Sequence, residues 1–277
     1  MTFTQRVRQI QNNQNSLLCV GLDVDEDKIP VSLRSLEHPA LEFNRQIIEA
    51  THDLVCAYKL NLAFYEAMGE RGHYILQQTL QYIPKSIFTI GDGKRGDIGN
   101  TAERYLKSLF INLNFDSVTI NPYMGFDSVE PFLTKPEKGV FILALTSNPG
   151  SKDFQRLAVG TKPFYEKVVA TVKKWNSRQN IGLVVGATHP KELRRIRAMA
   201  PEMPILIPGI GKQGGDLKSA IRCGCDKHGQ LAIINASRSI IYATSGNDFA
   251  HTARIEAKKI VEEMRTSMDP SMDGRYP

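Results

Sequence analysis

Asp92, Lys94 and Asp97 fall within six residues of one another, in Ile90-Gly-Asp-Gly-Lys-Arg-Gly-Asp-Ile-Gly-Asn-Thr101. The stretch directly follows the apolar run Ser86-Ile-Phe-Thr-Ile90. In extended backbone, side chains two apart point the same way, so Asp92 and Lys94 share one face. A strand ending in alternating fixed charges is poorly suited to stability. It suits a reaction that needs a fixed ammonium. Glycines at 91, 93, 96 and 99 let the backbone turn sharply and approach a bound molecule. A solvated strand-to-helix turn carries similar residues, so the surrounding elements must decide.

Those elements repeat. Eight apolar runs are spread along the chain: 16–23, 54–61, 86–90, 117–121, 139–146, 181–186, 203–208 and 231–235. Unbroken apolar runs of this length read as strands buried on both faces, as in a parallel sheet. Helical spacing marks segments between them, including 39–51, 101–110, 162–176 and 190–197, with a last helix at 248–264. An amphipathic helix over 3–15, with Phe3, Val7 and Ile10 on one side, leads into the first strand. The alternation predicts a single-domain (β/α)8 TIM barrel over residues 1–266, with 267–277 as a frayed tail. A doubly wound open sheet is the competing topology.

In a parallel barrel, chemistry belongs at the C-terminal strand ends. The first run ends at Asp23, the second at Lys59 and Asn61, the third at Asp92 and Lys94. These strands are neighbours in a barrel, so the charges should converge in alternating sign: Asp23, Lys59, Asp92 with Lys94, then Asp97. Each ion then favours the charged form of the next. The loops after strands seven and eight carry Gly209-Ile-Gly-Lys-Gln-Gly-Gly215 and Arg238. Backbone N–H groups and a guanidinium fork at that position suit a phosphate. The loop lacks the residue order of an ATP-binding P-loop. Thr146-Ser-Asn148 offers hydroxyl and amide groups to a polar ring, or serves as turn chemistry.

Composition bounds the alternatives. The 277 residues are 42% hydrophobic and 23% charged, with net charge +6 and no block of like charges. That is ordinary globular composition, with material for a large core. No zinc-finger spacing or RNA-binding aromatic signature accompanies the positive charge, so no nucleic-acid partner is expected. Cys19, Cys56, Cys223 and Cys225 show no zinc spacing and suit a reducing cytoplasm. The six histidines, among them His52, His189 and His228, lack metal-ligand spacing. No apolar run approaches membrane length, and residues 1–6 show no signal region.

The motif Asp92-Gly-Lys94-Arg-Gly-Asp97-Ile98-Gly-Asn-Thr101, together with Thr146-Ser-Asn-Pro-Gly150, resembles orotidine 5′-phosphate decarboxylases, in particular their second, bacterial-type subgroup. The resemblance runs from Asp23 to Arg238. It implies decarboxylation of orotidine 5′-monophosphate to uridine 5′-monophosphate, the last step of pyrimidine synthesis, without metal or organic cofactor. It implies Lys94 as proton donor to pyrimidine C6, with Asp92 beside the leaving carboxylate. Asp23 and Lys59 would contact the ribose and support the charge chain. Asp97, Ile98 and Thr101 would enter the neighbouring subunit's site, making a homodimer. Ser147 would bind the pyrimidine, and Gln213 and Arg238 the phosphate.

Three other readings remain. Sugar-phosphate decarboxylases or aldolases share the barrel and a similar motif, but generally hold magnesium with an extra acidic residue, where this chain has Lys59. A Schiff-base aldolase needs a neutral amine, which flanking aspartates oppose. A nucleotide-binding regulator without turnover would show a damaged site.

Overall fold

The computed structural model describes residues 1–210 and 215–268. Eight parallel strands close into a barrel in sequence order, β1 pairing with both β2 and β8. They are β1 (Leu18–Gly21), β2 (Ala57–Asn61), β3 (Phe88–Arg95), β4 (Ser117–Ile120), β5 (Gly139–Leu145), β6 (Ile181–Val185), β7 (Ile205–Pro208) and β8 (Ala232–Ala236). Each expected apolar run overlaps one of them, and the open sheet is excluded by the β1–β8 ladder.

The two-residue period of the strands divides their side chains between two cores. Val20, Tyr58, Leu60, Val118, Ile120, Val140, Ile142, Leu183, Val185, Ile205, Ile207 and Ile234 belong to the layer shared with the surrounding helices. Cys19, Ala57, Phe88, Ile90, Phe141, Val184, Leu206 and Ile233 fill a second core inside the barrel. Burial of both sets explains why the strands read as unbroken apolar runs.

The first helix, Phe3–Gln14, seals the N-terminal mouth of the barrel. Thr2 and Gln5 form a reciprocal capping box at its start. Phe3 is fully buried, its ring edge-to-face with Phe88 at 5.4 Å and Phe141 at 5.5 Å. The barrel is therefore solid at one end, and any cavity must open at the other.

Local departures from the expected elements have simple causes. β3 does not stop at Ile90 but runs to Arg95, because its backbone stays paired with β2 at Asp92 and rejoins β4 at Arg95. The next helix starts at Gly99, which adopts a left-handed φ of +53°, and its end widens into a π-helical turn at Lys107–Asn112. Lys162 and Pro163 pair with Ala158 and Val159 in a small hairpin, so that helix begins at Phe164. Helices Leu62–Glu66 and Glu70–Tyr82 connect β2 to β3, outside the segments named from helical spacing. The last helix, Phe249–Met268, passes the expected boundary at 266, and residues 269–277 lie outside the described residues.

Candidate active site

A cavity of about 520 Å³ opens at the C-terminal ends of the strands. A chain of ions crosses it. Lys59 projects inward from β2, two residues beyond Ala57 of the apolar core. Its Nζ lies 3.0 Å from Asp92 Oδ2 and 3.4 Å from Asp23 Oδ1. Lys94 Nζ meets the other oxygen, Asp92 Oδ1, at 2.6 Å. Lys59 and Asp92 are buried, whereas the Lys94 side chain is 46% exposed, at the cavity wall. So Asp92 is clamped between two cations, one sealed in and one accessible.

This geometry sets the charges. Burial alone would push Lys59 toward the neutral amine, but Asp23 and Asp92 outweigh it and hold its pKa above the ordinary lysine value. Burial alone would likewise raise the Asp92 carboxyl. Lys59 and then Lys94 reverse that, and it lies well below the usual carboxylate range. Beneath them the fully buried Cys19 thiol is pushed up, first by burial and then by Cys56, which makes it an inert neighbour.

The backbone around Lys94 is unusual. The β3–β4 register slips between Gly91 and Arg95. Within that slip Lys94 takes a left-handed φ of +47°. For a residue with a Cβ this costs roughly 1–2 kcal/mol. The Thr119 hydroxyl accepts from the Lys94 N–H at 2.9 Å and donates to Asp92 Oδ1 at 2.9 Å.

At the rim, Ser147 follows β5. Its Oγ is buried and has no hydrogen-bond partner among the described residues. It needs the glycine at 186, where an added Cβ would come within 2.1 Å of that oxygen. Its neighbours are turn chemistry. Thr146 donates to Asn148 at 2.6 Å, and Gln155 donates to Thr146 at 2.8 Å. Arg238 opens the short helix Arg238–Ile241 after β8 and lines the same cavity, exposed and without a side-chain partner among the described residues.

The fold thus brings together Asp23, Lys59, Asp92, Lys94, Ser147 and Arg238. Asp97, Ile98 and Thr101 do not join them within the chain. Asp97 turns back to accept from its neighbour's Ile98 N–H at 2.8 Å, Ile98 is 50% exposed, and Thr101 is exposed. Gln213 lies outside the described residues. Several lining residues escaped the sequence reading. Thr119 and Asn235 are polar positions on inward faces, so two-residue alternation could have flagged them. Asp25 and Lys28, an ion pair on the loop after β1, carry no periodic signal. Nor does Tyr242, whose hydroxyl accepts from the Asp25 N–H at 2.6 Å and secures that loop.

The matching family is the Orotidine 5′-phosphate decarboxylase / HUMPS family, over residues 16–252. The chain belongs to it. Among curated relatives, the orotidine 5′-phosphate decarboxylase of Dehalococcoides mccartyi strain BAV1 is 51% identical over 97% of this chain and 98% of its own length. That of Flavobacterium johnsoniae is 49% identical over 96% and 98%. Among solved structures, the OMP decarboxylase of Leishmania donovani superposes with a TM-score of 0.84 at 38% identity, covering 97% of this chain and 99% of its own. A Toxoplasma gondii structure described as a putative orotidine-monophosphate-decarboxylase gives 0.86 at 34%, covering 96% and 98%. The chain is accordingly an enzyme of the decarboxylase family, built on that family's barrel.

Proposed function

We propose that this enzyme decarboxylates orotidine 5′-monophosphate to uridine 5′-monophosphate in pyrimidine synthesis, without a cofactor, and that Lys94 supplies the proton. The observation that carries the reading is the buried Lys59–Asp92 pair with the Lys94 ammonium beside it at the cavity wall. The C6–carboxylate bond breaks, carbon dioxide leaves, and the electron pair stays on C6. That vinylic carbanion has no adjacent π system to spread the charge. A preorganised ammonium stabilises it and then delivers a proton to C6. Solvent afterwards reprotonates the amine.

The remaining residues divide the binding. Asp23 and Lys59 take the ribose hydroxyls, and the Ser147 hydroxyl, which lacks a protein partner, takes the pyrimidine. Arg238, with Gln213, takes the phosphate. Binding energy from that distant group is then available to close the site and exclude water. The Lys59 ammonium fills the space between Asp23 and Asp92, where a magnesium-dependent relative would need its cation. Among the described residues no His, Cys, Asp and Glu cluster is arranged to hold a metal. The position of Lys59 supports a metal-free reaction.

Asp97, Ile98 and Thr101 act in a partner's site within a homodimer. The exposure of Ile98 and Thr101 supports this, as do the exposed Tyr123, Met124 and Phe126 after the adjacent strand β4. The four free cysteines support a cytoplasmic setting, and no helix among the described residues is long and apolar enough to cross a membrane.

The decisive assay is loss of orotidylate absorbance with EDTA present. Full turnover is expected, and dependence on added magnesium would overturn the metal-free mechanism. For the shared site, Lys94→Ala and Asp97→Asn are each expected to be inactive, and mixing them should restore turnover. The mixed dimer holds one site with both wild-type groups. Absence of recovery, with subunit exchange verified, would overturn the crossing.

A further inference from the structure

Thr119 sits on β4, 1% exposed, in the wall of the cavity. The proposed chemistry gives it no task, yet its hydroxyl both accepts and donates. The oxygen accepts from the backbone N–H of Lys94, and its hydrogen goes to Asp92 Oδ1, both at 2.9 Å. The same Oδ1 accepts from the Lys94 ammonium at 2.6 Å. Lys94 is therefore gripped at both ends, its backbone by Thr119 and its side-chain nitrogen by Asp92, while Thr119 also fixes Asp92.

The grip occurs where the sheet does not provide one. The β3–β4 ladder pairs Ile90, Gly91 and Arg95 with β4 and skips Asp92 to Lys94. In that gap Lys94 holds its left-handed φ of +47°. Such a conformation persists only where its surroundings over-determine it. The Thr119 oxygen is the acceptor found for the Lys94 N–H, and its position rewards the bend. An extended backbone at residue 94 would send the side chain along a different path.

We propose that Thr119 is a positioning residue for the reaction: its hydroxyl keeps Lys94 in the bent backbone and Asp92 Oδ1 in line, so that the ammonium is aimed before substrate arrives. The inference rests on Lys94 being the proton donor. Thr119→Val keeps shape and volume but removes both hydrogen bonds, leaving the part-buried Lys94 N–H without this acceptor. Thr119→Ser keeps the hydroxyl.

The test measures kcat and KM for both variants beside the wild type and Lys94→Ala, with thermal unfolding and binding of uridine 5′-monophosphate as folding checks. Misplacing a reacting group by about 1 Å costs on the order of 100-fold, so kcat of Thr119→Val should fall about 10- to 100-fold. Its KM should change less than about threefold, because no binding group is lost. Thr119→Ser should recover kcat to within about threefold of wild type, since one hydroxyl serves both bonds. A folded Thr119→Val with wild-type kcat would overturn the proposal, and so would a Thr119→Ser as impaired as the valine variant. Should the valine variant not fold, Thr119→Cys, whose thiol is a weak donor and acceptor, is held to the same kcat criterion. An active Lys94→Ala would instead overturn the proton-donor reading, so the two failures are distinguishable.

Discussion

The two ends of the barrel interior are built from the same strands yet behave as opposites. At the N-terminal end, Ala57, Phe88, Ile90 and Phe141 pack under the Phe3 plug. One step further along the same inward faces stand Lys59 and Asp92, with Lys94 beyond. The step from Ile90 to Asp92 is two residues. The apolar end removes water from one side of the ions, which strengthens their mutual attraction and makes their isolation expensive. The ions hold fixed charge at the open end, which an apolar lining could not do. The plug and the charge chain are therefore complementary halves of one device, one giving stability and the other chemistry.

That division can be broken in graded ways. The largest effect is expected for Lys94→Ala, which should lower kcat on the order of 10⁴-fold or more by removing both the proton and the preorganised charge. Unfolding temperature and product binding should stay near wild type, because this lysine is the accessible cation. Substantial residual decarboxylation in a purified sample would sink the proton-donor role.

Phe3→Ala tests the opposite end. It should cost about 3–5 kcal/mol of stability in urea unfolding, as for other buried phenylalanines. Below its unfolding midpoint, kcat should change little. A large loss of kcat in the folded variant would show that the two ends are not separable.

Asp92→Asn strikes the boundary. It leaves Lys59 buried with only Asp23 and should cost about 3 kcal/mol, together with most of the activity. The sign of its pH dependence follows from the lowered carboxyl. A carboxyl depressed in the folded state contributes stability that is complete above its unfolded value, about 3.9, and fades as pH falls toward the folded value. Lys59 is raised, so its contribution holds below the ordinary lysine value and fades above it. The difference in urea midpoint between wild type and Asp92→Asn should be flat from about pH 5 to 8 and shrink below about pH 4. A difference that grows on acidification contradicts the ion-chain account.

The smallest effect separates rim from floor. Arg238→Ala should raise KM about 10- to 100-fold, the weight of a charge-assisted phosphate contact, while leaving the ion chain intact. Near-normal efficiency at low substrate would remove Arg238 from the phosphate site.

Much of this was legible in the chain because strand periodicity is local. Eight apolar runs gave eight buried strands and favoured a barrel over an open sheet, and the residues ending the first three gave Asp23, Lys59, Asp92 and Lys94 as one cluster. Spacing alone presents the motif at 92–101 as a single group of charges, and only the family resemblance assigns Asp97 and Thr101 to a neighbouring subunit. The fold splits the group, keeping Asp92 and Lys94 inside while Asp97 and Thr101 face outward, because β3 ends at Arg95 and the chain then turns into a helix. Thr119 was legible only in part: alternation marks it as an inward polar residue of β4, but not what it does. Its role depends on a register slip between two strands, and no single-strand pattern encodes a slip.

The sequence alone therefore determined the number and order of strands, the inward alternation and the kinds of charge at the strand ends, since each follows from neighbouring residues. Tertiary closure decided the rest. It brought Lys59 within 3.0 Å of Asp92 and Asp23 within 3.4 Å of Lys59. It bent the backbone at Lys94 and supplied Thr119 to hold the bend. The physical reason is that charge and dielectric act through space. A lysine's pKa and aim depend on what the barrel folds against it, not on what precedes it in the chain.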